Sequence, residues 1–426
     1  MRIMLIGAGG FIGRHVMAEL LAGGHDVVGV ARSIGTLSAA FPQAECIAMD
    51  LAQATSAEAW RDHLAGIDIV INAAGILRGR DMDAVHVRMP EALQRAALAA
   101  GVKRVVLISA ISARPDVATD YARSKLAGEA ALRSSGIAWT VLRPSLVYGD
   151  GSYGGTSLMR GMAGLPWITP LPGSGDFRFT PIHVADLARA IRLVCEKPEY
   201  AGRTLEPVGP DMFDLRTLLA AYRAWLGFGR ARFLSIPMPL MTLLGRIGDI
   251  AGDGPIASNS LIQMVAGNSG DSAAFAEAIG FVSRSLNEAL RDRPAQVQDR
   301  WHARLFFLAP LLKAVLVLMW IASAALGLAY GAARTGAVLQ GLGLPGGWAA
   351  PLRIGGSVLD IGIAALLILD RRARWATPVQ LLVVAGYTLV IGIALPGLWL
   401  DPLGPLLKNL PILLAIAVHG AVADKR

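Results

Sequence analysis

The sequence predicts an α/β fold, a doubly wound parallel sheet with a small substrate lobe, followed by an all-α four-helix transmembrane domain. Three observations lead there. Short apolar runs alternate with helical periodicity, as in a parallel sheet covered by helices. A glycine-rich turn follows the first apolar run and opens a helix. Beyond Arg304 only 13 of 122 residues are charged, too few for a water-exposed surface.

The elements follow in order. Residues 2–6 form an apolar run short enough for a strand buried on both faces. Gly7, Gly10 and Gly13 come next in a G-x-x-G-x-x-G pattern, and Phe11, Val16 and Leu20 then recur at helical spacing. Glycine permits a tight turn and lets backbone N–H groups approach a pyrophosphate at a helix N-terminus. The second strand, "DVVGV", leads into Arg32 and Ser33, where an acidic residue would bind the ribose of NAD. A guanidinium there suits a 2′-phosphate, so the expected cofactor is NADP, with NAD as the alternative.

A third strand runs to Asp50 and Leu51, where a carboxylate can meet the adenine amine. A fourth ends in Asn72-Ala73-Ala74-Gly75, small enough for a cofactor to lie across it. "PEALQRAALAAGV" reads as a helix and "KRVVLIS" as the fifth strand. In "YARSK", Tyr121 and Lys125 stand one helical turn apart and share a face. A cation beside a phenol favours the phenolate, which moves the group towards a working pKa.

Taken together, the Gly7–Gly13 turn, Asp50-Leu51, "NAAG", "VVLISA", "YARSK", "LRPSLVYG" and "TPIHVADLARAI" resemble the short-chain dehydrogenase/reductase superfamily. The likeness covers residues 1–290, in the extended or atypical, epimerase/dehydratase-like branch near the Rossmann accessory subunit of respiratory complex I. It implies Tyr121 as the acid/base and Lys125 as the clamp on the nicotinamide ribose. It also implies a serine or threonine that holds the substrate oxygen. Ser109 is the first choice, Ser112 the second, and Ala110 or Ile111 occupies the position in another register. Residues 7–13, including Phe11 and Ile12, would hold the phosphates, with Ala73, Ala74, Gly75, Lys125 and Pro144 around the nicotinamide half. His183 reads as structural, and Asp186 as a charge favouring its helix start.

Residues 1–200 are expected to form the cofactor domain, 201–300 the substrate lobe and linker, and 301–426 the membrane domain. The stretches "GGTSLMRGM" and "PMPLMTLLGRIGDIAG" are rich in Met, Leu and Ile, so the substrate is expected to be lipophilic. No cluster of arginines for a nucleotide-sugar stands out there. Two cysteines, Cys46 and Cys195, lie in no metal spacing, and no metal is expected. No basic run is interleaved with aromatics, which excludes nucleic-acid binding as a working class.

Four apolar segments, 305–330, 352–369, 376–400 and 403–423, approach the ~20 residues needed to cross a bilayer. Arg300, Arg304, Arg371, Arg372, Arg374, Lys425 and Arg426 outnumber Arg334, Arg353 and Lys408, which places both termini inside. The N-terminus carries no signal-peptide pattern, so the first domain is expected in the cytosol. Lys313 and Asp360 are expected at similar depth, as a pair. "LDPLGPLLKNLPILL", "SVLDIGIAALLI" and "VQLLVVAGYTLVIGIALPGLWL" resemble the DoxX-like family over residues 305–425. That likeness implies a multi-pass protein of the bacterial inner membrane, in a loose redox setting with a quinone or respiratory partner. The combined expectation is a membrane-anchored NAD(P)(H)-dependent oxidoreductase acting on a hydroxyl or carbonyl. The alternatives are a non-catalytic NADPH-binding or redox-sensing protein and a nucleotide-sugar epimerase or dehydratase.

Overall fold

A computed structural model describes residues 1–151, 154–250 and 258–423. Two compact units divide the chain, Met1–Ala303 and Arg304–Arg426.

The first unit is built on a seven-stranded parallel sheet. Its strands are β1 (Arg2–Ile6), β2 (Asp26–Ala31), β3 (Glu45–Ala48), β4 (Ile69–Asn72), β5 (Arg104–Ile108), β6 (Trp139–Leu142) and an edge strand, Arg203–Leu205. Across the sheet the order is edge strand, β6, β5, β4, β1, β2, β3. The order reverses at β1, and in such sheets ligands bind beyond the carboxyl ends of the strands at that point. The edge strand lies past residue 200, so the sheet draws on the segment assigned by sequence to the substrate lobe.

Alternation along each strand explains why the runs are continuously apolar. Ile3 and Leu5 join one core with Val16, Met17 and Leu20, while Met4 and Ile6 join the opposite core with Trp60 and Leu93. Successive side chains point to opposite faces, and helices cover both.

Four helices position the site: α1 (Phe11–Ala22), α2 (Gly35–Ala40), a helix whose start differs from expectation, and the helix Asp120–Ser134. "PEALQRAALAAGV" was expected to begin at Pro90. The coil begins earlier, as a π-turn over Ala84–Arg88 that continues into the α-helix Met89–Ala99. Pro90 has no N–H to give the His86 carbonyl, so the regular ladder fails at that step. The helix Asp120–Ser134, which carries Tyr121 and Lys125, starts at Thr119, whose side chain accepts from the Ala122 N–H at 3.1 Å. It passes very close to the π-turn: a Cβ on Gly128 would lie 2.3 Å from the His86 carbonyl oxygen. Only glycine fits there.

The second unit is helical. Three helices are long and apolar enough to cross a bilayer: Val297–Tyr330, Gly346–Leu369 and Ala376–Ala394. The fourth expected span is the shorter apolar helix Asn409–Ala423. Its 15 residues extend about 22 Å, against a hydrocarbon core of about 30 Å. A further helix, Ala332–Gly341, lies in a stretch the sequence left unassigned.

The bundle is stitched by polar pairs: Trp320 donates to Gln380 at 3.0 Å, Ser323 to Asp360 at 2.7 Å, and Asn409 to Thr388 at 2.8 Å. The expected Lys313–Asp360 pair does not form among the described residues; Asp360 takes hydrogen bonds from Ser323 and Tyr387 instead. The reason is depth. Ser323 lies ten residues beyond Lys313 on one continuous helix, about 15 Å along its axis.

Candidate active site

Three loops meet at the carboxyl ends of β1, β4 and β5. Gly7 leaves β1 with φ +82°, and a Cβ there would come within 3.0–3.1 Å of the Ala73–Ala74 backbone. A Cβ on Gly13 would fall 2.1 Å from the Gly7 carbonyl oxygen. These two positions hold the turn flat against β4, and any other residue would fill the space. Gly10 is the N-cap of α1, and it donates to Gly7 O at 3.0 Å. No side chain caps α1, and its first turn has no acidic residue. The helix start is therefore a cradle for an anion, and it fits a cofactor pyrophosphate.

Arg32 is exposed just past β2. A second guanidinium reaches the same end of the sheet: Arg14 on α1 donates to Thr36 on α2 at 3.2 Å. Sequence spacing hid Arg14, because only the fold brings the first turn of α1 beside α2. Asp50 lies past β3, and its carboxylate accepts the Ala52 N–H at 3.2 Å. Leu51 beside it is half-buried.

Lys125 is buried at 6% exposure. Its Nζ donates to Ile108 O at 3.1 Å and Ala74 O at 3.4 Å, bridging the ends of β5 and β4. A Cβ on Gly75 would stand 3.2 Å from that Nζ. Nζ also lies 5.9 Å from the centroid of the Tyr121 ring, so the two do share a face and a neighbourhood. Pro144, buried on the loop past β6, accepts the Ile111 N–H at 3.0 Å and so closes the fourth side.

The electrostatics differ from the expected picture. Burial pushes the Tyr121 phenol up to about 12, not down. Burial also lowers the Lys125 ammonium to about 8, with Glu129 opposing the shift. Both groups pay more for lost hydration than the ammonium returns to the phenol. Tyr121 is therefore a protonated phenol at neutral pH.

Ser109 is likewise differently employed. Its hydroxyl donates to Glu129 Oε1 at 2.6 Å. Glu129 is fully buried, and Arg143 grips it at 2.9 and 2.6 Å, with Arg133 at 3.0 Å. The proton of Ser109 is spent on that carboxylate. Ser112 is buried too, Ile111 is packed in the core, and Ala110 is half-buried.

One group the sequence reading missed stands against the phenol. The ring of His86 meets Tyr121 edge-on at 5.7 Å and 78°. His86 Nε2 accepts the Ile76 N–H at 3.1 Å, and Nδ1 lies 2.8 Å from Ser124 Oγ. Ser124 in turn donates to Tyr121 O at 3.0 Å. This assigns the proton to Nδ1. Burial and then Lys125 lower His86 to about 3, so it is neutral. A helix beginning at Pro90 gave no signal that His86 would face inward.

His183 serves as a helix cap, accepting the Ala185 N–H at 3.2 Å. Asp186 is held by Arg284 through two bonds of 2.9 Å. Two arginines of the lobe are consumed within the protein: Arg223 donates to Ala163, Leu165 and Gly229 carbonyls, and Arg293 pairs with Asp150 and Asp299. Among the described residues no group of three or more His, Cys, Asp or Glu could hold a metal ion.

Two family models match. Residues 7–166 match the NAD(P)H-binding family, and residues 317–417 the DoxX-like family. The chain joins an NAD(P)H-binding Rossmann domain to a DoxX-like domain. It is 28% identical over 256 residues to the ceramide reductase of Caulobacter vibrioides, covering 58% of this chain and 77% of that one. It is 28% identical over 194 residues to mouse mitochondrial NADH dehydrogenase [ubiquinone] 1 alpha subcomplex subunit 9, covering 44% of this chain and 49% of the relative. The chain thus spans about half the length of that subunit. Among solved structures, the NADPH-dependent quinone oxidoreductase QOR2 of Escherichia coli with NADPH superposes with a TM-score of 0.55 at 22% identity, covering 68% of this chain and 99% of that one. That likeness carries the fold. An NAD(P)H-binding Rossmann domain of the kind found in reductases and epimerases, joined to a DoxX-like membrane domain, is an oxidoreductase-type architecture.

Proposed function

We propose that the chain is a membrane-anchored, NAD(P)H-dependent reductase that delivers hydride to a carbonyl on a lipophilic molecule. One observation supports this above the others: Tyr121 and Lys125 lie together at the carboxyl ends of β4 and β5, beside Gly75. The nicotinamide supplies the hydride when bound. Lys125 binds its ribose and keeps a positive charge near the reacting centre. Tyr121, protonated at neutral pH, gives its hydroxyl proton to the oxygen of the reduced carbonyl. His86 and Ser124 fix the helix start from which the phenol projects. Arg32 and Arg14 favour NADPH over NADH. The name of the ceramide reductase relative, together with the Met- and Leu-rich lobe, argues for a long-chain substrate.

The membrane is the bacterial cytoplasmic membrane, with the cofactor domain on the side of the arginines at 300, 304, 371, 372 and 374. Three long spans and one short helix make up the passes.

The test is Tyr121→Phe in the purified full chain, with long-chain ketones and NADPH. The variant should retain NADPH and lose about 10²–10⁴ in turnover; an unchanged rate refutes the assignment. A second reading rests on Ser109, whose hydroxyl is tied to Glu129. With Ser109 committed to Glu129 and not to a substrate oxygen, the domain would bind NADPH without turnover. NADPH retention with no hydride transfer to any ketone or quinone would favour it.

A further inference from the structure

The substrate lobe carries an apolar surface that the cofactor and the proton chemistry do not use. The helices Met238–Ile250 and Ser258–Ala266 pack together, Gly245 approaching Ser258 so closely that a Cβ would lie 3.2 Å from its Cα. Ser258–Ala266 has no buried residue at all. Leu240, Leu243, Leu244, Ile262 and Val265 are exposed, Leu243 at 53%. Trp167, 81% exposed, stands beside the strand Thr169–Pro172, which pairs with Phe233–Ile236 just ahead of the first helix. Arg230 and Arg232, just ahead of the first helix, and Arg246 on it are exposed. Over residues 230–250 and 258–266 a single carboxylate, Asp249, opposes them, and it takes the Ser258 N–H at 3.1 Å.

We propose that this helical pair docks on the lipid bilayer. Isolated exposed leucines are ordinary, but a contiguous patch marks an interaction surface. An aromatic, an apolar face and exposed basic residues are what an interfacial helix presents to anionic lipid. The DoxX-like domain of the same chain supplies the bilayer, and a tether makes a weak surface contact effective. The patch also borders the cleft. Arg78, three residues past Gly75, donates to Ser260 at 3.3 Å, and Arg114, five past Ser109, donates to the Ala266 carbonyl at 3.1 Å. If the reductase reading holds, the pair is the side from which a long-chain ketone enters.

The test uses the full chain in phosphatidylcholine–phosphatidylglycerol vesicles, in a Cys46→Ser background, with Cys195 buried and unlabelled. An environment-sensitive fluorophore is placed at Leu243→Cys or Ile262→Cys, and at Ala18→Cys on the exposed side of α1 as a control. Labels at 243 and 262 should shift to the blue and be quenched by doxyl lipids, while the label at 18 is quenched only by aqueous iodide. Quenching of all three by iodide alone overturns the proposal. Protection of 243 and 262 from both quenchers, with concentration-dependent cross-linking, also overturns it and assigns the face to a second copy. No turnover is measured, so this outcome is independent of the reductase reading.

Discussion

Replacing Lys125 by Met should stabilise the protein at neutral pH while weakening its function. The ammonium is lowered from 10.5 to about 8 by burial, which corresponds to about 3 kcal/mol spent on keeping it charged at pH 7. Met removes that cost with a similar volume. It also strips the donor from Ile108 O and Ala74 O, at about 1 kcal/mol each. The net gain is about 1 kcal/mol, or about 2 °C in the transition of a domain this large. The sign depends on pH. Below pH 8 the native lysine is charged at full cost. Between pH 8 and 10.5 the unfolded chain binds the proton more tightly than the native one, so the wild type gains stability as pH rises. Above 10.5 the lysine is neutral in both states, and the variant should be the less stable by about 2 kcal/mol, the two lost hydrogen bonds. Thermal unfolding of the full chain in detergent, read as a function of pH for both proteins, should show the curves crossing. NADPH affinity at pH 7 should fall in the variant. A variant less stable than wild type at pH 7, with no crossing, would refute the account of Lys125 as a destabilised, functionally retained charge.

Three further outcomes follow from the same geometry. The rate of ketone reduction should decline as pH rises through about 8, when Lys125 loses its proton, well before Tyr121 titrates near 12; a pH profile of kcat/KM checks this. Glu129→Gln should cost on the order of 3 kcal/mol in thermal or urea unfolding, because it leaves Arg143 without its charge partner in a buried site. Arg32→Ala should raise the Kd for NADPH about tenfold and leave that for NADH unchanged, as measured by fluorescence titration, the loss of one charge-assisted contact to a phosphate.

The sheet was legible because its signal is local. Four residues from Ile3 to Ile6 feed two cores by simple alternation, and Gly7 and Gly13 mark where the chain must come close to itself. Tyr121 and Lys125 were legible for the same reason, since helical spacing alone puts them on one face. What the sequence concealed depends on contacts between distant segments. Ser109 looked available until Glu129 and Arg143 closed on it from the next helix and strand. His86 and Arg14 were invisible because their roles come from what packs beside them. The Lys313–Asp360 pairing failed because depth was counted from the ends of apolar runs, whereas the continuous helix puts Ser323 at the carboxylate. The phenol's shift was reversed because spacing reports neighbours but not hydration.

That reversal bears on the direction of chemistry. A phenol at about 12 must surrender its proton before it can act as a base, which costs about 7 kcal/mol at pH 7. As an acid it starts in the required state. Oxidation of an alcohol would therefore lean on Lys125 and the charge of an oxidised nicotinamide to recover that cost. Reduction leaves the same phenolate once the proton is given, so it too relies on Lys125, but its resting state at pH 7 already carries the proton. The neutral His86 fits the same direction, since with Nε2 occupied by Ile76 and its proton held by Ser124, it offers Tyr121 an aromatic edge and no base. A site assembled this way, with a phenol protonated at neutral pH, a lysine poised near neutrality and Ser109 committed to Glu129, rests in the state from which a proton is given.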